Sequence, residues 1–206
     1  MGATEKFARF IVETGYDDIP RDVIEKSKRT ALDCLAAAMA GCAEPGSRAI
    51  MSYVKRLGGP PQASVFGAGL RTLATDAALA NGSIAHALDY DDGGMKVGHP
   101  SVMVLPAVLS LGEHLGASGR ETLAAYILGL EVQGKIALNT DFKLMESSLN
   151  SQSWYGSVGA GAACAKLLRL DKTKTRMALS IAANLACGLS ANQGSMAGPM
   201  GAGNAC

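Results

Sequence analysis

The chain has 206 residues, 48% of them hydrophobic and 18% charged, enough to bury one substantial core or two small ones. A formal net charge of +1 with lysine and arginine dispersed along the chain argues against a basic nucleic-acid groove. No run of about 18 uninterrupted apolar residues exists to span a membrane, and Met1-Gly2-Ala3-Thr4-Glu5-Lys6 fits neither a secretory leader nor a myristoylation signal.

Alanine and glycine dominate, β-branched runs are short and aromatics are few, so an all-α fold with closely packed helices is expected. Residues 4–14 form a short amphipathic start, and Asp17-Asp18-Ile19-Pro20 opens a second helix with Ile24, Ala31, Leu32, Leu35 and Met39 on one side. Gly41 is a suitable terminator, Glu44-Pro45-Gly46 reads as a turn, and a helix from Ser47 to Leu57 ends at Gly58-Gly59-Pro60-Pro61. Ala63-Ser64-Val65-Phe66 is the single strand-like piece, too short to build a sheet. From Thr72 or Thr75 to Tyr90 the spacing is helical again and puts His86, Asp89 and Tyr90 on one face.

Val102 to Leu115 reads as a buried helix, and Ser118-Gly119-Arg120-Glu121 is a capping box for a helix reaching about Asn139. Asp141–Asn150 is polar and reads as loop. Gly156, Gly159 and Gly161, with Ala160, Ala162 and Ala163, suit a helix that approaches a neighbour closely. Asp171 is a natural N-cap for a last helix ending before Gly188, after which Gly194 to Gly203 reads as flexible.

Cys34, Cys42, Cys164, Cys187 and Cys206 lie far apart, with no Cys-x-x-Cys pair and no histidine at ligand spacing. They read as reduced thiols of a cytoplasmic protein with no metal site. Gly129-Leu130-Glu131-Val132-Gln133-Gly134-Lys135 has the spacing of a phosphate-binding loop, but Ile136 replaces the hydroxyl residue and the run lies within a helix. His114 follows Glu113 on an apolar helix and reads as structural.

Chemistry concentrates in His86-Ala87-Leu88-Asp89-Tyr90-Asp91-Asp92 followed by His99-Pro100-Ser101, which holds two of the three histidines. Carboxylate and imidazole are the usual proton-transfer groups near neutral pH, and crowding pushes their pKa values apart. The bland reading is a solvated acidic turn before Gly93-Gly94. Against it, carboxylates ending a helix oppose its macrodipole at a cost of a few tenths of a kcal/mol each.

The stretch from Asn81-Gly82-Ser83 through Asp91-Asp92, with His99-Pro100-Ser101 and Leu105-Pro106-Ala107 downstream, resembles the MmgE/PrpD family. Ala31-Leu32-Asp33-Cys34-Leu35, Gly129-Leu130-Glu131-Val132-Gln133, and Gly194-Ser195-Met196 with Gly203-Asn204-Ala205 fall in the family's order, so the resemblance spans essentially the whole chain. It implies that residues 1–206 are the N-terminal part of an all-helical domain, incomplete at the C-terminal end, with the family's smaller lid domain absent from this chain. It also implies an enzyme working without a metal or organic cofactor on a small di- or tricarboxylate. The reaction is a dehydration like that of 2-methylcitrate dehydratase, a decarboxylation like that of cis-aconitate decarboxylase, or a proton-transfer isomerisation. A homodimer is implied too.

By the same resemblance Asp89 matches the family's active-site aspartate, which orients or accepts a proton. His99 matches its active-site histidine, which binds a substrate carboxylate or serves as acid. Trp154-Tyr155-Gly156-Ser157 stands where members often read Phe-His-Pro-Thr, which makes Tyr155 a candidate proton donor in place of a histidine. Gly93 replaces a threonine, and Gly198-Pro199-Met200-Gly201 replaces Lys-Pro-Leu-His. Losing that charge-assisted contact costs roughly 1.5–3 kcal/mol, about ten- to a hundredfold in affinity, so a different substrate is expected. The competing reading is a catalytically silent paralogue that serves as a helical binding or dimerisation module.

Overall fold

The computed structural model describes residues 2–140 and 150–206, and among these helices supply nearly all the regular structure. In chain order they are α1 (Ala3–Glu13), α2 (Arg21–Gly41), α3 (Pro45–Leu57), α4 (Ala74–Ala85), α5 (Leu105–Leu115), α6 (Gly119–Leu138), α7 (Ser151–Leu167), α8 (Lys172–Leu185) and α9 (Met200–Ala205). The expected all-α class holds. The polar stretch read as loop lies outside the described residues except for Asn150.

Helix α4 is the centre of the main core, packed by α2, α3, α5 and α9. Small side chains let these helices approach. A Cβ on Gly82 would lie 2.9 Å from Gly203 Cα and 3.0 Å from Ala202 O, so α4 and α9 meet backbone to backbone. Helices α6 and α7 do the same, where a Cβ on Gly129 would sit 2.7 Å from Gly159 O. Two starts follow the expected capping chemistry. Glu121 Oε2 accepts Ser118 N–H at 2.9 Å, and Asp171 Oδ1 accepts Lys174 N–H at 2.8 Å. The loop-like glycine spacing at 129–135 is indeed inside α6.

Several boundaries differ from the sequence reading. Pro45 occupies the first turn of α3, where its missing N–H costs nothing, and is not part of a turn. In α2 the buried seam runs through Ile24, Ser27, Cys34, Ala38 and Gly41, while Leu32 and Met39 are 69% and 53% exposed. Small residues take the tight contact with α4, and those two large side chains lie off that face. The strand-like piece has a partner. β1 (Ala63–Val65) pairs antiparallel with β2 (Leu70–Thr72), Ser64 opposite Arg71.

Side chains of the helices fix this hairpin. Asn81 Oδ1 accepts Phe66 N–H at 2.8 Å and its Nδ2 donates to Ser64 O at 2.9 Å, while Glu113 accepts Ser64 N–H at 2.8 Å and pairs with Arg71. Strands of three residues carry too little alternation to be read locally. The expected helix 102–115 is split into a 3-10 turn (Ser101–Met103) and α5. The stretch from Gly194 to Gly203, read as flexible, instead leads into α9, whose Gly201, Ala202, Gly203 and Ala205 are buried. Glycine's poor helix propensity hid it, and burial against α4 and α7 supplies what propensity lacks.

Candidate active site

Helix α4 ends at Ala85, not at Tyr90, with His86 as its C-cap. The three carboxylates therefore lie in the loop beyond the helix and not on its last turn. Backbone in the left-handed region at Asp89 (φ 49°), Met95 (φ 55°) and Lys96 (φ 57°), together with Gly98 (φ 90°), folds this loop back on itself. Gly94 N–H donates to Gly98 O at 3.0 Å and closes it. A Cβ on Gly98 would collide with the Gln152 side chain, so the loop rests on the start of α7.

Asp92 anchors the far arm. It accepts Ser101 N–H at 3.2 Å and the Ser101 hydroxyl at 2.7 Å. With that proton committed, Ser101 Oγ accepts from the Tyr126 hydroxyl, which also meets Thr30 Oγ1 at 3.0 Å. Gln133 Nε2 donates to Pro100 O at 2.8 Å. The loop is thus tied to α2 and α6 by buried polar contacts.

At the centre stands Asp91, whose side chain has no exposed surface. Its Oδ1 is 3.2 Å from His86 Nδ1 and 3.2 Å from His99 Nδ1, and its carbonyl oxygen is 3.1 Å from His99 Nδ1. The two rings are 5.0 Å apart, tilted by 57°. Their other nitrogens turn toward Asp89: His99 Nε2 is 3.1 Å and His86 Nε2 3.7 Å from Asp89 Oδ1. Asp89 is 74% exposed at its side chain, so this pole of the cluster is open to solutes.

Environment separates the three kinds of group. The hydrogen bond to Asp91 lifts the His99 pKa to about 9 against the opposing effect of burial, with the charges of Asp91 and Asp89 adding to the rise. Burial alone would push Asp91 up, but the hydrogen bonds and charges of His86 and His99 more than offset it and hold its carboxyl below the usual range. Asp92 moves the other way, raised by burial despite its bonds from Ser101, with Asp91 and Asp33 adding repulsion. The arrangement therefore offers an ionised buried carboxylate, a readily protonated imidazole and an exposed carboxylate within one hydrogen-bonded group.

The structure brings Asp89 and His99 together as the sequence suggested. Tyr155 is buried in a separate apolar cluster with Val97 and Ala137, its ring 5.5 Å from Trp154. Among the described residues it makes no hydrogen bond to Asp89, His86, Asp91 or His99. Tyr90, expected on the face of His86, is 81% exposed. Beside the substituted positions, a Cβ on Gly93 would come 3.5 Å from Gly98 O and one on Gly201 would come 2.6 Å from Ser153 Oγ. His86 and Asp91 were not singled out within the cluster by sequence reasoning, because a loop has no periodicity to tell Asp91 from Asp89 or Asp92. Donor atoms of His86, Asp91 and His99 lie within 4.8 Å of one another, a spacing a cation can bridge, which the hydrogen bonds just described already explain.

Comparison with known proteins gives a consistent result. The family model for the MmgE/PrpD N-terminal domain matches residues 5–206. The chain is 33% identical to cis-aconitate decarboxylase of Mus musculus over 98% of its length, and 34% identical to that of Homo sapiens over 98%. It is 31% identical to the cis-aconitate decarboxylase of Aspergillus terreus over 95%. The matches cover 43%, 43% and 41% of these relatives, so the chain spans less than half their length.

Proposed function

The chain belongs to the MmgE/PrpD family, and on that premise we propose that it carries the proton-transfer site of a lyase acting on a small di- or tricarboxylate. The contact of Asp89 with His99 over the buried Asp91 carries this reading. His99, protonated near neutrality, has a proton to give to a substrate carboxylate or to a carbanion-like carbon. Asp89, exposed at its side chain, accepts a proton or orients the acid. In a decarboxylation of the kind named for the relatives, the bond to the departing carboxylate breaks, its electron pair stays on carbon, CO2 leaves and the His99 proton closes the carbon. A dehydration uses the same pair differently: Asp89 takes the proton next to a carboxylate and His99 protonates the leaving hydroxyl. Tyr155, one layer back beside Val97, shapes the loop in this reading and is a proton donor only if the loop moves.

Substitution at the C-terminal end favours a substrate other than the usual tricarboxylate. Gly201 is packed against Ser153, so a side chain there would require the Ser153 hydroxyl to move. A cytoplasmic homodimer belongs to the same reading. Light scattering tests the dimer. Turnover of cis-aconitate, 2-methylcitrate and iminodisuccinate by the gene product, followed by 13C NMR, tests the activity. Conversion of any one that vanishes in Asp89→Asn and His99→Ala supports the lyase. No turnover of any small carboxylate by a folded protein favours the silent binding module instead.

A further inference from the structure

Asp91 stands behind both imidazoles, away from the open pole of the cluster. Its Oδ1 faces two Nδ1 atoms at 3.2 Å each, while the two Nε2 atoms face Asp89 at 3.1 and 3.7 Å. An acceptor held against Nδ1 fixes the ring proton there and leaves Nε2 as the working atom. We propose that Asp91 is a positioning residue that keeps a proton on Nδ1 of both His86 and His99, so that Nε2 is the atom at which each ring gains or loses its other proton, His86 becomes a second working imidazole and two Nε2 atoms face Asp89. The proposal rests on the proton-transfer reading above and extends it from one imidazole to two.

A loop anchor is the competing explanation for a buried aspartate, and the neighbouring residue shows what one looks like. Asp92 satisfies both carboxylate oxygens on Ser101. Asp91 Oδ2 is buried with no hydrogen bond, so among the described residues the side chain bonds to nothing except the two rings. The remaining titratable groups around it are Asp89 and Asp92 on the loop and Asp33 and Cys34 on α2, and none of them hydrogen-bonds to either Nδ1. His86 is 11% and His99 22% exposed at the side chain, and their outer nitrogens face the largely exposed Asp89.

The chain has three histidines, and exposed His114 serves as an internal reference. Long-range 1H–15N spectra, recorded at a pH high enough to neutralise all three rings, report which nitrogen carries the proton. His86 and His99 are expected as Nδ1–H forms in the wild-type chain. In Asp91→Asn, whose amide offers a donor as readily as an acceptor, the Nε2–H population of His86 should rise severalfold while His114 stays put, and that of His99 should rise less because the backbone carbonyl of residue 91 still faces its Nδ1. Asp92→Asn should leave the ring tautomers unchanged. Wild-type rings already in the Nε2–H form, or a His86 ring unmoved in Asp91→Asn, would overturn the proposal. Should Asp91→Asn fail to fold, the wild-type spectrum decides alone. The spectra need no substrate, so a negative result here removes the role of Asp91 and leaves the lyase reading to its turnover assay.

Discussion

Asp89 Oδ1 lies 3.1 Å from His99 Nε2, and Asp89 makes that contact from left-handed backbone, φ 49°. Such a conformation costs a non-glycine residue roughly 1 kcal/mol, and aspartate and asparagine tolerate it better than most. Asp89→Asn therefore preserves the backbone while removing the charge. The expected outcome for Asp89→Asn is a loss of roughly 10²–10⁴-fold in kcat with a thermal midpoint little changed, and His99→Gln should match the loss in kcat. Steady-state kinetics beside circular-dichroism melts check both, and a variant with full activity would remove Asp89 from the mechanism.

Stability should depend on alkaline pH through His99. Its folded pKa of about 9 lies above the ordinary 6.5, so the stabilisation is complete below 6.5 and disappears as pH rises through the folded value. The magnitude is at most roughly 3 kcal/mol, less what partial exposure screens. Urea midpoints measured from about pH 6 to pH 10 should fall across this window, and the fall should shrink in His99→Gln. Asp91 acts on the opposite limb: its lowered pKa contributes stability above the ordinary 3.8 that is lost as pH falls through the folded value.

Tyr126 joins Ser101 to Thr30 through one hydroxyl that is buried between α6 and α2. Removing it in Tyr126→Phe leaves Ser101 bonded to Asp92 and frees the Thr30 proton for Ser27 O, so neither partner is orphaned. A destabilisation of about 1 kcal/mol is expected by chemical denaturation. A loss several times larger would mean that the hydroxyl holds the whole site loop in place.

Close approach of α6 and α7 makes Gly129 intolerant of a side chain. A Cβ there would meet Gly159 O and Val104 Cγ1, each at 2.7 Å. Gly129→Ala should destabilise by about 1–3 kcal/mol. Gly119→Ala is the matched control, because nothing lies within 4 Å of its added carbon, and it should change stability by less than about 1 kcal/mol. Equal effects at the two positions would contradict the backbone contact.

The sequence by itself determined the helical class, the capped starts at Ser118 and Asp171, and the segment in which the chemistry gathers. Caps and helical spacing are local, set by residues within a turn or two of one another. The family was legible as well, because its motifs are contiguous runs. Tertiary structure alone decided what depends on distant partners: the pairing of β2, the formation of α9 against α4, and the face of α2 that is buried. It also decided the site's internal order. Nothing in Asp89-Tyr90-Asp91-Asp92 says which carboxylate goes inward, because that choice follows from where His86, His99 and Ser101 stand once the loop has closed. Burial then separates the roles of three carboxylates that are chemically alike in the chain.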